Sequence, residues 1–250
     1  MIANNTLKNL SFTKTVVVLS TFFTLVACGG NGGGGPALPD DPMTEKTDSS
    51  SSNLPDGPQI TDPVPTTPVS EREQILQNYQ HLDPKNIVPT APLENALVYF
   101  HKNKSSLKNS KYLTLLDFSK SSKQKRLFVI NMSNGSVWAL HVSHGKGSDA
   151  DHDGMAEKFS NLSGSNASSL GYYITDNTYY GSNGYSLRLD GKSSTNSRAR
   201  ARAIVIHGAS YVQDTNIKQG RSWGCPAISM DNHKKLIDTL KGGSLIYAFK

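Results

Sequence analysis

From residue 112 to the C-terminus the chain is written in short, β-rich apolar runs separated by turn residues. This pattern limits the fold more than any other feature. The runs are "YLTLLDFS" (112–119), "RLFVINM" (126–132), "VWALHVS" (137–143), "SLGYYITDNTYYG" (169–181), "YSLRLD" (185–190), "RAIVIHG" (202–208) and "SLIYAF" (244–249). Branched and aromatic side chains of this kind suit a pleated, half-buried surface. Asn134 and Gly135, between the second and third runs, supply the positive φ that a tight hairpin turn needs. Residues 169–190 predict a second antiparallel pair.

Helices are few. "EREQILQNYQHL" (71–82) spaces Ile75, Leu76, Tyr79 and Leu82 along one face behind Ser70 as N-cap. "PLENALVYFHKNKSSL" (92–107) predicts a helix with Pro92 as its first residue, ending near His101. "DNHKKLIDTLKGG" (231–243) predicts a third, capped by Asp231 and stopped by glycine. The expected class is mainly β with few helices, mostly antiparallel. There is no internal repeat.

The N-terminal 70 residues are of a different kind. Lys8 and Lys14 flank "TVVVLSTFFTLVA" (15–27), an apolar segment of 13 residues. A bilayer span needs about 20, so the segment predicts a secretory signal over residues 1–27. It ends in "LVAC" (25–28), which resembles the lipobox of bacterial lipoproteins. That resemblance implies cleavage before Cys28 and diacylation of its sulfur, with later acylation of the new N-terminus. An ordinary secreted protein cleaved after Ala27 is the alternative. Gly29, rather than an aspartate, follows the cysteine. In a host with two membranes this pattern resembles sorting to the outer membrane, facing the periplasm. Residues 28–70 continue as a Gly/Pro/Ser-rich tether with too little apolar periodicity to bury a core. The folded domain is expected over residues 71–250.

Charge divides along the same boundary. The chain carries +6; residues 29–70 contribute −5, from one Lys against six acids, and the leader +2, leaving +9 on residues 71–250. A basic exported domain suits an anionic envelope polymer as neighbour, or is simply kept soluble by its charge. Nucleic acid is excluded as a partner by compartment. No sequence feature sets an oligomeric state.

Cys225 is the second of only two cysteines, and the signal consumes the other. A lone thiol in an oxidising compartment is a liability unless it is used. His207 closes the sixth apolar run, 18 residues before Cys225. A histidine can take the proton from a thiol whose ordinary pKa leaves it only a few per cent ionised. Gly208 leaves room for a backbone to approach, and Gly224 permits a tight turn that aims backbone N–H groups at one point. Pro226 lacks an N–H, so such donors must come from Cys225 and the residues before it. A low-pKa Cys225 is expected to react with thiol reagents below pH 7. The alternative is a small buried cysteine serving as core.

Together, "HG" (207–208), "GRSWGCPA" (220–227), "HVSHGKGSDADHDGMAEKFSN" (141–161), "SSLGYY" (168–173), "SLRLDG" (186–191) and "RAIVIHGA" (202–209) resemble the L,D-transpeptidase catalytic domain, the YkuD-like family, in its divergent murein branch. The likeness runs from about residue 85 to 250. The commoner family motif reads S-H-G-C with a downstream arginine; here Trp223 replaces the second histidine and the arginine is missing. The resemblance implies a mixed β-sandwich and a cysteine acyl-enzyme acting on peptidoglycan tetrapeptide stems. Cys225 would attack at the L-centre of meso-diaminopimelate and expel D-alanine, and an amine or water would resolve the thioester. It further implies His207 as base, the Gly208 carbonyl as its orienting partner, and the N–H groups of Gly224 and Cys225 as oxyanion hole. Carbapenem-type β-lactams would acylate Cys225.

The substrate side rests on neighbours of the nucleophile: Arg221 for the substrate carboxylate, or else a structural ion pair; Ser222; and Trp223 as pocket wall or packing residue. His144 is expected to line the cleft opposite His207, His141 less so, and their spacing on extended chain argues against a shared metal. Asp149, Asp151, Asp153 and Gly154 follow the order of a calcium loop's first half. Residue 160 is serine where the closing acid would stand, which favours an Asx-rich turn over a bound cation. No metal or other cofactor is called for. Hydrolysis by the same chemistry, as L,D-carboxypeptidase or endopeptidase, is the nearest alternative; a non-catalytic wall-binding lipoprotein is the other.

Overall fold

The computed structural model describes residues 69–250. The signal at 1–27, Cys28 and all but the last two residues of the tether lie outside the described residues.

Eight strands form one mixed sheet: β1 (Tyr112–Asp117), β2 (Leu127–Asn131), β3 (Val137–Leu140), β4 (Gly171–Gly181), β5 (Gly184–Gly191), β6 (Val205–Ala209), β7 (Ala227–Ser229) and β8 (Leu245–Phe249). Their order across the sheet is β3-β2-β1-β8-β4-β5-β6-β7. Five neighbouring pairs are antiparallel, while β1–β8 and β6–β7 run parallel. The sheet nearly closes on itself. Beyond β3, Ser143 exchanges hydrogen bonds with Ala227, its N–H reaching the Ala227 carbonyl at 2.9 Å and its Oγ accepting the Ala227 N–H at 3.3 Å. Gly145 then makes a parallel bridge to Ser222. The two layers expected of a sandwich thus belong to one continuous sheet.

The chain forms this architecture because β1, β2 and β8 are apolar on both faces. Leu113, Leu115, Phe128, Ile130, Leu245 and Phe249 pack outward against Leu97 and Phe100. These last two belong to α2 (Thr90–Asn103), which lies beside α1 (Glu71–Gln77). The alternate residues Leu116, Leu127, Val129, Ile246 and Ala248 face the interior, where they meet Leu187, Ile206 and Ile228. Strands buried on both sides read as continuous apolar runs, as these do. A third helix, α3 (Met230–Leu240), adds Leu236, Ile237 and Leu240 to the same core.

Several local expectations shift by a few residues. Ser70 does cap α1, and Glu73 completes a capping box. Helix α2 begins two residues before Pro92, which occupies its third position rather than its first. Helix α3 starts at Met230 with Ser229 as N-cap, so Asp231 sits in the first turn, where a carboxylate favours the helix dipole. The β2–β3 turn does centre on Asn134 and Gly135, with Gly135 at φ +74. The short strand β7 carries no periodic signal, and its place in the sheet comes from pairing beside β6.

One buried cation joins the strands to the loop beyond them. Arg126, just before β2, is 0% exposed. It donates to Val142 O at 3.1 and 2.9 Å, to Lys120 O at 2.8 Å and to His144 Nδ1 at 2.9 Å. Burial pulls its pKa down to about 9, against the pull of Asp117 and Asp149. Arg126→Met should destabilise the fold by about 3–5 kcal/mol, because it strands three buried acceptors and an uncompensated Asp149. Urea unfolding of the variant beside the wild type measures this.

Candidate active site

A cleft of about 460 Å³ opens between β6, the β4–β5 hairpin and the loop that leads into β7, and both His207 and Cys225 line it. A larger hollow of about 690 Å³ beside α1 and α2 is lined by no histidine or cysteine, so the chemistry points to the smaller one. The topology explains the juxtaposition. His207 lies in the middle of β6, opposite Ser186 of β5 on one side and Ala227 of β7 on the other. Cys225 stands two residues before Ala227, so the parallel pairing that seats β7 delivers the cysteine beside the histidine strand.

His207 is held in one tautomer. Its Nδ1 lies 2.9 Å from Gly208 O. A carbonyl only accepts, so Nδ1 carries the hydrogen and Nε2 keeps a lone pair for a proton. Burial, and to a smaller extent His233, keep its pKa below the ordinary histidine value, although the Gly208 bond opposes them. Gly208 is needed for a reason other than backbone approach: a β-carbon there would lie 2.7 Å from His233 Cγ and 2.8 Å from Met230 Sδ. The room is used by side chains of α3.

Cys225 is half-buried, and its Sγ lies 3.6 Å from Ala203 O. Burial pushes the thiol above its ordinary value, opposed by the Val205 N–H and Arg202. With the imidazole lowered and the thiol raised, the two are neutral at rest around pH 7. This corrects the expectation of a low-pKa thiolate: burial outweighs the charges that face the sulfur. Ala203 itself takes a left-handed conformation at φ +54, a strain of about 1–3 kcal/mol for a residue with a side chain.

Serines build the turn that carries Cys225. Ser222 donates its N–H to His144 O at 2.9 Å and its hydroxyl to Cys225 O at 2.6 Å, and accepts the Gly224 N–H at 3.1 Å. Ser168 Oγ donates to Gly224 O at 3.2 Å and accepts the Gly145 N–H at 3.0 Å. Gly224 sits at φ +118, and a β-carbon there would lie 2.7 Å from Ala167 O, so only glycine fits. Of the two donors expected for an oxyanion hole, the Gly224 N–H is therefore occupied. Among the described residues the Cys225 N–H has no protein acceptor. Ser222 borders the cleft, yet its polar atoms are spent on the turn.

The remaining expected residues divide. Arg221 lines the cleft, but its Nη1 donates to the carbonyls of Asp149 and, at 3.4 Å, Ala150, and among the described residues it makes no ion pair. Trp223 is 74% exposed on the rim, lining the cleft with Lys146 Nζ 5.6 Å from its ring centre, so it is not packed in the core. His144 does not line the cleft. It is 1% exposed behind the turn, with Nε2 2.9 Å from Asp149 Oδ2 and Nδ1 taken by Arg126. Since arginine only donates, Nε2 carries the hydrogen toward Asp149; burial and then Arg126 lower the His144 pKa to about 4. His141 is buried against Asp214, 2.8 Å from Nδ1.

Asp149, Asp151 and Asp153 each place an oxygen within 4.8 Å of the others. The Asp149 oxygens already accept from His144, Asp153 N and Gly154 N, the pattern of an Asx-type turn. Sequence reasoning missed Arg202, Tyr211 and Tyr179, all of which line the cleft. Arg202 was hidden in "RARARA" (198–203), where nothing separates it from its exposed neighbours.

Residues 85–249 match the L,D-transpeptidase catalytic domain, and the chain belongs to that family. No curated protein matches it. Among solved structures it is similar to an L,D-transpeptidase from Mycobacterium smegmatis (15% identity, 56% of this chain and 59% of that one, TM-score 0.36). It is also similar to Mycobacterium tuberculosis L,D-transpeptidase 1 (14%, 55% and 60%, TM-score 0.31). A third, an L,D-transpeptidase from Stackebrandtia nassauensis, shows 12% identity over 71% of this chain and 75% of that one, with TM-score 0.34. The chain spans about three-fifths of the two mycobacterial proteins. Family membership rests on the sequence match over 85–249.

A neutral thiol predicts a pH profile. Alkylation of Cys225 by iodoacetamide should be slow at pH 7 and climb about tenfold per unit until the pH passes 9. Peptide-resolved mass spectrometry reads it separately from Cys28. A plateau reached below pH 7 would instead mark a resting thiolate.

Proposed function

We propose that the protein is a cysteine-dependent L,D-transpeptidase that acts on peptidoglycan tetrapeptide stems, tethered to a membrane through lipid on Cys28. The observation that carries the reading is the placing of His207 and Cys225 on one cleft, with the histidine's Nε2 free to accept a proton, in a chain of this family.

In the proposed cycle His207 Nε2 takes the Cys225 proton as the sulfur attacks the carbonyl at the L-centre of meso-diaminopimelate. The Cys225 N–H faces the oxygen on which negative charge develops; one such donor is worth roughly 3–4 kcal/mol. The tetrahedral adduct collapses by breaking the bond to D-alanine, whose amine receives the proton from His207. An amine of a second stem then attacks the thioester, His207 removes its proton, and the thiol is regenerated with a new crosslink. Water in place of the amine would give an L,D-carboxypeptidase, or an endopeptidase on crosslinked material. Arg221 and the exposed ring of Trp223 are the proposed substrate contacts at the rim. The +9 charge of residues 71–250 favours an anionic wall, and Gly29 after the lipidated cysteine favours the outer membrane in a host that has one.

The test is the full-length protein with disaccharide-tetrapeptides, products resolved by mass spectrometry beside Cys225→Ala. Loss of D-alanine with a crosslinked dimer, both abolished in the variant, is expected. Tripeptide alone would assign the carboxypeptidase. Turnover independent of Cys225, or none on tetrapeptides and crosslinked muropeptides alike, would overturn the reading.

A further inference from the structure

The cycle leaves one cleft cation without a task. Arg202 lines the cleft, and its guanidinium bonds only to uncharged oxygens. Nη1 donates to Ser160 O at 2.6 Å and Ser169 Oγ at 3.5 Å; Nη2 donates to Ala167 O at 2.6 Å and Ser165 Oγ at 3.3 Å. Two other arginines find carboxylates, directly or through a histidine. Arg200 pairs with Asp176 and Asp190, and Arg126 reaches Asp149 through His144. A half-buried positive charge held only by dipoles is undiminished, and it favours any anion that forms beside it.

The anion that forms beside it is the sulfur. Arg202 abuts the nucleophile's turn: a β-carbon on Gly224 would lie 3.2 Å from Nη2. The next residue, Ala203, is the left-handed one whose carbonyl faces Cys225 Sγ. The bonds from Arg202 to Ser160 and Ala167 therefore pin the backbone that touches the thiol, and they saturate the fork. With both Nη groups spent, Arg202 cannot grip a substrate carboxylate in bidentate fashion.

We propose that Arg202 is a positioning residue for Cys225, a fixed charge that favours the thiolate formed when His207 takes the proton and an anchor that holds the Ala203 carbonyl against the thiol. This rests on the reading of Cys225 as nucleophile. The other titratable groups around the sulfur are Tyr173 on β4, His207 on β6, and Tyr211 and Arg221 in the loops. Burial raises both tyrosines, Tyr211 to about 12, so they stay neutral through the working range. Among the charges facing Cys225, Arg202 is the one that opposes the effect of burial on the thiol.

The test compares full-length wild type, Arg202→Lys and Arg202→Met. Iodoacetamide alkylation of the Cys225 peptide is followed from pH 6 to 10, with kcat and KM on tetrapeptide substrate and circular dichroism to establish folding. Arg202→Met should displace the alkylation profile upward by about one pH unit, roughly tenfold slower at pH 8, and lower kcat with KM little changed. Arg202→Lys, which keeps the charge, should hold the profile near wild type. Should Arg202→Met fail to fold, Arg202→Gln retains amide donors for Ser160 and Ala167 and takes its place. A folded, uncharged variant whose profile overlays wild type would overturn the proposal, as would a Lys variant displaced as far as Met. Alkylation needs no stem peptide, so this inference and the substrate reading can fail separately.

Discussion

Arg126 is the constraint from which the cleft end of the molecule is built. A guanidinium with no exposure must have its donors met, and the acceptors it finds come from three places: Lys120 O, Val142 O and His144 Nδ1. Through His144 its charge is balanced by Asp149, which in turn accepts two backbone N–H groups of the 149–154 turn. The imidazole stays neutral between a cation and an anion. This chain fixes residues 142–149, and residues 143–146 are the ones that pair with Ser222 and Ala227. The turn that carries Cys225 is thus held from behind by a buried electrostatic relay and from the side by the β6–β7 pairing.

The same burial that makes the turn rigid sets the chemistry of the pair. It lowers His207 and raises Cys225, so both are neutral at rest around pH 7. A neutral resting pair costs less in a half-buried cleft than an ion pair, and in the proposed cycle it makes the histidine a base in the act of attack rather than beforehand. At the cleft, Ala203 beside the sulfur takes a left-handed conformation that costs a residue with a side chain, while Gly224 before Cys225 takes a positive φ that glycine adopts freely.

Much of this was legible in the sequence, and for identifiable reasons. Strands β1, β2 and β8 announced themselves because burial on both faces demands unbroken apolar runs. The His207–Cys225 pair was legible because a chain read as exported, with one spare thiol, leaves little choice, and the motif around it pointed to the family. Other features depend on contacts between distant segments. Strand β7 has three residues and exists through its partner. His144 lies on a stretch that looks permissive, yet Arg126, 18 residues earlier, draws it inward. The Gly224 N–H looked available until Ser222 claimed it. Arg202 could not be told from Arg198 and Arg200, since only the fold decides which of an alternating series faces the cleft.

The central claim is that Cys225, assisted by His207, is an acylating nucleophile. Intact-protein mass spectrometry after exposure to a carbapenem tests it most directly, since the strained lactam reports the nucleophile whatever the natural acceptor. One adduct per chain is expected, mapped to the Cys225 peptide, formed far more slowly in His207→Ala and absent in Cys225→Ala. An adduct that survives Cys225→Ala, or a folded wild-type protein that takes none, would contradict it.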